Sequence, residues 1–313
     1  MDKQSTSHIL MVRPATFRKN EQTAVNNHFQ QSMAELSEAE VLEQALAEFD
    51  GFVEALRAAG VNVLVFEADA EVDAPDALFP NNWVSFHSNA TVGLYPMFAP
   101  NRRIERREDF INDLEHIHGY AVEEIIDFTE FEEHDKYLEG TGSLVLDRVH
   151  KRAYAALSPR TDRMAVEHFC EAFDYEGIVF TASQPTDGGR SPIYHTNVMM
   201  AIGSTFAAVC LSCIDDAEER AMVRETLEAD GLEIIDLSEA AIAQFAGNML
   251  EVRTTSGDCL IVMSQSAREA LSPAQIDQLE RHGRILSAPL QTIETCGGGS
   301  ARCMLAEIHL PAI

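Results

Sequence analysis

Thr295-Cys296-Gly297-Gly298-Gly299-Ser300-Ala301-Arg302-Cys303 stands near the end of this 313-residue chain and is followed by the apolar stretch 304–310. Glycine carries no side chain, so a cysteine that shortly follows three glycines at the mouth of a strand is open to close approach by a ligand. Cys303 is therefore a candidate nucleophile. The alternative is a core cysteine beside a flexible turn, because free cysteine is among the most buried residue types.

The same local pattern, a small or polar residue that opens an apolar strand, occurs five times. The five opening residues are Asn82, Gly142, Asn197, Asn248 and Cys303, at intervals of 60, 55, 51 and 55 residues. A period of this length is typical of a radially repeated architecture. The pattern predicts an α/β fold in which five ββαβ-type units form a closed ring and the opening residues converge on a central axis.

The rest of each repeat is visible as a second strand and an amphipathic helix. Second strands are expected at 91–97, 153–158, 205–212 and 258–264, and helices at 107–119, 162–173, 216–229 and 272–282. The first unit has a strand at 8–14, a helix at 35–59 that could break near Gly51, and a strand at 61–66. It lacks an inner strand, which the strand after Cys303 can supply by closing the ring. No low-complexity linker interrupts the chain, so we expect one domain, 1–313.

Composition limits the partners. A formal charge of −28 and a pI near 4.6 disfavour binding to nucleic acid or to an anionic membrane. No apolar run approaches the roughly 20 residues of a membrane span, and the start of the chain lacks the order of a signal peptide. We expect a cytoplasmic protein that acts on a small molecule without a cofactor or a metal, and homo-oligomerisation stays open.

Six cysteines without dense spacing suit a reducing compartment better than a disulfide framework. Cys210 and Cys213 form a C-x-x-C, but no second pair stands at zinc spacing. Core packing is the favoured interpretation of that pair.

A thiol with an ordinary pKa near 8.5 is mostly protonated at neutral pH, so a nucleophilic cysteine needs a cationic or hydrogen-bonding neighbour. His195 is the natural partner because it lies two residues before an opening residue, whereas most other histidines lie in polar stretches. Glu139 lies three residues before another opening residue and can orient the imidazole. The alternative for His195 is a hydrogen-bonded histidine at a strand end.

Taken together, five short motifs resemble the guanidine-modifying superfamily, which includes arginine deiminase, dimethylarginine dimethylaminohydrolase and the amidinotransferases. The motifs are Phe79-Pro-Asn-Asn82, Glu139-Gly-Thr-Gly142, Leu157-Ser-Pro-Arg160-Thr161, His195-Thr-Asn197 and Gly298-Gly-Ser300 before Cys303. The resemblance covers nearly the whole chain and implies the five-bladed α/β propeller known as a pentein. It is closest to the amidinotransferase-like citrulline-utilisation hydrolases. It implies that Cys303, His195 and Glu139 are catalytic.

The resemblance also implies that Arg160 and Arg102 hold the carboxylate of an amino-acid substrate. Arginine suits this role because its planar fork donates two parallel hydrogen bonds. For the neighbouring Arg103, a surface salt bridge is the preferred interpretation.

Two departures from the superfamily bear on the substrate. Where guanidine-binding relatives carry aspartates, this chain has Asn82 and Asn197, and Gly142 adds no charge. A guanidinium has only donors and is always positive, whereas a neutral ureido group also offers a carbonyl acceptor that an asparagine amide can satisfy. Asn82, Asn197 and Asn248 therefore favour a ureido substrate, although asparagines also cap strand ends.

The sequence thus predicts a hydrolase that cleaves a C–N bond of a ureido amino acid, converting citrulline to ornithine, carbon dioxide and ammonia through a covalent cysteine intermediate. The first alternative is a guanidine-modifying enzyme that acts on arginine or methylarginine by deimination, dimethylaminohydrolysis or amidino transfer. The second is a non-catalytic pentein that binds an amino acid. Carboxylates in the pocket would distinguish a guanidino from a ureido substrate.

Overall fold

A computed structural model describes residues 3–186 and 188–313 of the chain. The strands are β1 (His8–Arg13), β2 (Asn62–Glu67), β3 (Val84–Phe86), β4 (Thr91–Leu94), β5 (Glu124–Asp127), β6 (Val145–Asp147), β7 (Arg152–Leu157), β8 (Glu176–Thr181), β9 (Ser183–Thr186), β10 (Gly189–Pro192), β11 (Met200–Ile202), β12 (Phe206–Val209), β13 (Glu233–Asp236), β14 (Leu250–Arg253), β15 (Cys259–Ser264), β16 (Arg284–Ala288) and β17 (Ala306–Glu307). The helices are α1 (Glu21–Ala24), α2 (Glu38–Ala58), α3 (Glu108–His116), α4 (Gly140–Ser143), α5 (Arg163–Phe173), α6 (Ala217–Ala229), α7 (Glu239–Ile242), α8 (Gln265–Ala270), α9 (Pro273–Glu280) and α10 (Gln291–Gly297).

The described strands form five mixed three-stranded sheets and one hairpin. The sheets have the orders β17-β1-β2, β3-β4-β5, β6-β7-β8, β11-β12-β13 and β14-β15-β16, and the hairpin is β9-β10. In every three-stranded sheet the first pair is antiparallel and the second is parallel. The α/β class is therefore confirmed, and each parallel crossover contains helical segments, as such connections require.

The strand after Cys303 completes the first sheet, as predicted. β17 pairs antiparallel with β1, with Ile9 opposite Glu307 and Leu10 opposite Ala306. The pairing joins the two ends of the chain, so the turn that carries Cys303 is tied to the first sheet.

The helix predicted at 35–59 is the single helix α2, without a break at Gly51. Ser37 and Glu40 form a capping box at its start, and Gly60 follows its end with a φ of 94°. Apolar residues at helical spacing face the core, where Phe49 and Phe52 are fully buried. Packing of this continuous apolar face outweighs the modest cost of one glycine in a helix interior.

The opening residues do not begin the inner strands directly, which corrects the sequence analysis. Four of them lie in a helical turn just before the inner strand: Pro80–Asn82, α4, Thr196–Val198 and Ala301–Met304. The inner strands β3, β6, β11 and β17 start two or three residues after the opening residue. A helical turn carries the opening side chain beyond the end of its sheet rather than onto one face.

Several other elements differ from prediction. The second strands β4, β12 and β15 are shorter than predicted at one or both ends, β7 is shifted by one residue, and the hairpin β9-β10 was not foreseen. Cys210 and Cys213 follow β12 in a short helical turn rather than ending the strand, and both are buried. Across the described residues, no helix combines the length and apolar character needed to cross a membrane.

Candidate active site

Three of the turns before the inner strands, at Asn82, His195 and Cys303, meet around one small buried cavity. It is lined by Asn27, Gln30, Asp76, Phe79, Asn82, Arg102, Arg160, Tyr194, His195, Gly297, Gly298, Gly299 and Cys303. Five residues predicted for the site, Asn82, Arg102, Arg160, His195 and Cys303, are therefore brought together from distant parts of the chain. The cavity has a volume of only about 10 Å³, which leaves room for roughly one water molecule.

Cys303 is buried, and the side-chain amides of two asparagines lie close to its sulfur. Asn248 Nδ2 lies 3.3 Å from Cys303 Sγ and Asn197 Nδ2 lies 3.8 Å from it. The backbone N–H of Arg302 donates to Asn248 Oδ1 and so fixes the orientation of that amide. Two side-chain amides are therefore directed at the sulfur. Asn197 and Asn248, predicted to bind substrate, thus contact the candidate nucleophile and are not among the residues that line the cavity.

His195 and Glu139 form the predicted pair. His195 Nε2 lies 2.7 Å from Glu139 Oε2, and both side chains are almost completely buried. Burial lowers the pKa of His195 to about 4, against the opposing effect of its hydrogen bond to Glu139. Burial also works against ionisation of Glu139, but Arg160, His195 and Arg102 outweigh it and hold the pKa of Glu139 well below its usual range. At neutral pH the pair is therefore a neutral imidazole that donates its Nε2–H to a carboxylate.

Gly142 keeps the other imidazole nitrogen accessible. A Cβ at this position would lie 2.4 Å from Asn82 Nδ2 and 2.8 Å from His195 Nδ1. Distances below 3.0 Å essentially never occur for real Cβ atoms. A side chain at Gly142 would therefore displace Asn82 or His195, so the glycine leaves the space that these two side chains need.

We expect Gly142→Ala to lower kcat/KM by about 100-fold, the cost of misplacing a reacting group by roughly 1 Å. The added methyl would push His195 or Asn82 aside. Gly51→Ala is the matched control, because a Cβ at Gly51 meets nothing within 4 Å in helix α2. The control should keep full activity. Equal loss in both variants, or none in Gly142→Ala, would contradict the assigned geometry.

Arg102 is enclosed by protein acceptors. Its Nε and Nη2 bind the two oxygens of Glu105 at 2.9 and 2.8 Å, and its Nη1 donates to Asn82 Oδ1 at 2.9 Å. It also forms ion pairs with Asp76 and Glu139 at 3.6 and 3.8 Å. Because its donors are directed to these groups, Arg102 can orient Asn82 and neutralise part of the negative charge of the nearby carboxylates. This arrangement gives no support to the expectation that it holds a substrate carboxylate.

Asp76 is the site residue that the sequence analysis missed. It is 2% exposed and lines the cavity, yet its Oδ1 has no hydrogen-bond partner. Its Oδ2 accepts from Asn20 and Thr23. Its ion-pair partner, Arg102, is shared with Glu105 and Glu139. The opening residues Asn82 and Gly142 bring no charge to the site, but Asp76 adds a carboxylate to the cavity lining.

Residues 20–31, which we call the cover segment, close the cavity. Asn27 and Gln30 donate to the carbonyls of Gly298 and Gly297 at 3.1 and 2.9 Å. Arg160 holds the same segment: its Nε and Nη2 bind Asn26 Oδ1 at 2.8 and 2.6 Å, and Nη2 also reaches the carbonyl of Thr23. Arg160 therefore lines the cavity as predicted, with its guanidinium directed at the cover segment.

Comparison with known proteins gives one family and a shared fold. The family model described as N,N-dimethylarginine dimethylhydrolase, eukaryotic, matches residues 13–310. No curated protein sequence matches the chain.

Among solved structures, ArgZ, an arginine dihydrolase from the ornithine-ammonia cycle in cyanobacteria, aligns with a TM-score of 0.72 at 16% identity, over 98% of this chain and 41% of ArgZ. The chain thus spans about two fifths of the full-length protein. The N-terminal domain of ArgZ, in a cysteine-to-serine variant bound to substrate, aligns with a TM-score of 0.71 at 16% identity, over 98% of this chain and 99% of that domain. A dimethylarginine dimethylaminohydrolase variant that carries an adduct with S-methyl-L-thiocitrulline aligns with a TM-score of 0.62 at 15% identity, over 98% of this chain and all of that one. At these identities the likeness shows the fold.

Proposed function

Because the chain belongs to the N,N-dimethylarginine dimethylhydrolase family within the guanidine-modifying superfamily, we propose that it hydrolyses the guanidino C–N bond of an arginine-class amino acid. Asp76 carries this proposal. A buried carboxylate oxygen without a partner, on a residue that lines the cavity of Cys303 and His195, favours a ligand with N–H donors and a positive charge. The guanidino alternative of the sequence analysis is thus preferred to citrulline as the first substrate.

The proposed reaction uses Cys303, His195 and Glu139. Cys303 Sγ attacks the guanidino carbon while His195, neutral at rest, takes the thiol proton and passes it to the departing amine. The carbon is then held on Cys303 as an S-alkyl thiouronium, which keeps the positive charge of the guanidinium. Water, deprotonated by His195, attacks this carbon, the C–S bond breaks, and the products are a ureido amino acid and an amine, which is ammonia when the substrate is arginine. Glu139 stabilises the imidazolium formed in each step.

Substrate entry requires movement of the cover segment. The cavity has room for roughly one water, whereas an amino-acid substrate needs far more. Arg160 is the remaining candidate for the substrate carboxylate, and we propose that the carboxylate replaces Asn26 Oδ1 as the acceptor of its Nε and Nη2 donors. The same exchange would release the cover segment from Arg160.

A second candidate function is hydrolysis of a ureido group, either of free citrulline or of the product of the first reaction. Asn82 favours it. Its Oδ1 is fixed by Arg102, so its Nδ2 is directed away from that guanidinium, and this buried N–H donor has no partner. A ureido carbonyl can accept from it, whereas a guanidinium has no acceptor. Asp76 and Asn82 together would suit both steps of a dihydrolase, the activity named for ArgZ.

We also propose that the five three-stranded sheets are the blades of one propeller that forms a single domain, 1–313. The repeated strand order and the closure of the first sheet by β17 support this arrangement. Such a ring would explain why residues from distant parts of the sequence meet at one cavity.

The experiment that tests the proposal is a side-by-side assay of the purified protein with arginine, Nω-methylated arginines and citrulline. Ammonia, methylamines, citrulline and ornithine are quantified. We expect turnover of an arginine-class substrate, with ornithine as an additional product if the second step occurs. Turnover of citrulline with none of any arginine would leave the ureido function and overturn the guanidino one.

The pH dependence of kcat/KM provides an independent test of His195. This quantity reports the free enzyme, in which the His195 pKa is lowered to about 4 by burial. A base is lost on protonation, so activity should stay level from about pH 8 to about pH 5 and fall only as the pH approaches 4. Melting temperatures at each pH separate this limb from unfolding. An acid limb centred on the ordinary histidine value of 6.5 would contradict the assignment.

A further inference from the structure

A group of metal-ligand side chains lies apart from the proposed active site, at the turn between β6 and β7. Asp147 ends β6, His150 stands in the turn, and Asp230 follows helix α6. Each offers one ligand atom, and these atoms all lie within 4.8 Å of one another. Within residues 3–186 and 188–313, no other group of three or more histidine, cysteine, aspartate or glutamate side chains is as close. None of the three lines the cavity of Cys303.

A buried tyrosine lies on the same face of the sheet as Asp147. Tyr154 is fully buried, and its hydroxyl has no hydrogen-bond partner. In the antiparallel pair of β6 and β7, Val145 is opposite Tyr154 and Asp147 is opposite Arg152, so Asp147 and Tyr154 share one face of the sheet. Burial raises the pKa of the Tyr154 hydroxyl, and the charges of Asp230 and Asp147 raise it further. The hydroxyl is therefore within electrostatic reach of both carboxylates.

The charges around the group leave it attractive to a cation. Arg152 Nε lies 3.3 Å from Asp230 Oδ2, but the same guanidinium also pairs with Glu176. His150 Nδ1 lies 2.7 Å from Asp147 Oδ2. Arg152 thus serves two carboxylates, and the group next to Asp147 is an imidazole, which can itself ligate a metal ion.

We propose that Asp147, His150 and Asp230 bind a divalent transition-metal ion, zinc in the first instance, with the Tyr154 hydroxyl at the fourth position. An imidazole with carboxylates is a ligand set that zinc takes and that calcium and magnesium, which prefer oxygen alone, do not. Bonds of about 2.0–2.1 Å in a tetrahedral site place ligand atoms about 3.3 Å apart. The nitrogen and oxygen now at 2.7 Å need to separate only slightly.

The positions of the three ligands in the fold indicate a structural role for the ion. Asp147 and His150 belong to the β6-β7 turn, while Asp230 joins helix α6 to strand β13 of the next sheet. An ion bound by all three residues would link two sheets whose strands do not pair with each other. A closed site of this kind contributes to folding stability. The proposal therefore adds a structural metal site to a protein whose proposed chemistry needs none.

Titration calorimetry and thermal unfolding with zinc chloride test the proposal, on chelator-treated Cys303→Ser protein so that the candidate nucleophile cannot bind the ion. We expect one zinc per chain and a higher melting temperature. His150→Ala, added to this protein, should weaken zinc binding by more than the roughly 10- to 100-fold known for changes around metal ligands and remove the thermal shift. Because His150 is exposed, this change leaves the core intact. The matched control is His168→Ala, which removes an exposed histidine of helix α5.

Two results would overturn the proposal: no binding of zinc, manganese or cobalt, or binding that survives His150→Ala. A second measurement, the visible spectrum with cobalt(II), does not depend on the variants. Ligation by nitrogen and oxygen should give only weak bands. Intense thiolate bands would place the ion at Cys210 and Cys213, whose sulfurs lie 3.2 Å apart, and would contradict the assignment.

Discussion

Replacing Cys303 by serine should abolish turnover of arginine-class and ureido substrates while the protein stays folded. An alcohol is far harder to ionise than a thiol, and the amides of Asn248 and Asn197 that approach Sγ cannot compensate for that difference. We expect kcat to fall by at least about 100-fold, the lower end for loss of a covalent catalyst. Steady-state kinetics and a melting curve are the measurements.

Cys296→Ala is the control for the serine variant. Cys296 lies seven residues earlier, in helix α10, and packs in the core. Burial raises its pKa, which disfavours the thiolate that a nucleophile requires. Activity should therefore survive in Cys296→Ala. The reverse pattern, an active Cys303→Ser and an inactive Cys296→Ala, would move the nucleophile to helix α10.

Asp76→Asn should impair arginine selectively. The change removes the carboxylate charge, and we expect a loss of about 2–3 kcal/mol of transition-state binding, or roughly 30- to 150-fold in kcat/KM. Citrulline, which is neutral at its ureido end, should lose much less. The comparison of the two substrates separates recognition of charge from damage to the fold.

Asp73→Asn is the matched control because it changes an exposed aspartate on the same segment, where Asp73 pairs with Arg18. This control should leave kcat/KM for arginine unchanged. Asn82→Asp tests the other side of the pocket: a second carboxylate should strengthen competition by arginine and weaken citrulline. If Asp76→Asn affects both substrates equally, Asp76 only maintains the structure.

The repeat made much of the fold predictable. Five opening residues at similar spacing placed Cys303 beside residues far away in sequence, and the missing inner strand of the first sheet was correctly assigned to the end of the chain. The local signals of α2 were equally clear, since Ser37 and Glu40 cap it and Gly60 follows it. Periodicity and capping are short-range properties, so a single sequence suffices to recognise them.

The polar and charged residues of the pocket were harder to predict from the sequence. Asp76 stands in a stretch with Glu71 and Asp73 that resembles a solvated acidic surface, and nothing local distinguishes the buried aspartate from its exposed neighbours. The sequence suggested that the guanidinium of Arg102 is free to bind a substrate carboxylate. In the structure, two of its donors bind Glu105, three residues later. Which polar groups neutralise one another depends on tertiary contacts, which sequence spacing does not specify.

The role of the cover segment could not be predicted from the sequence either. Its polar residues showed no clear period, so the sequence analysis assigned it no role. In the structure these side chains bind backbone carbonyls of the glycine turn and the guanidinium of Arg160. A segment held by polar contacts across the site has no hydrophobic pattern by which to recognise it.

The most direct test of the central claim, that Cys303 forms a covalent bond to the guanidino carbon of an arginine-class substrate, is mass spectrometry of the protein quenched with acid during turnover of arginine. The proposed mechanism predicts an adduct on the peptide that contains Cys303, with the mass of arginine less ammonia, and its absence in Cys303→Ser. An adduct on another residue, or a carbamoyl adduct that forms from citrulline while arginine gives neither adduct nor product, would contradict the claim.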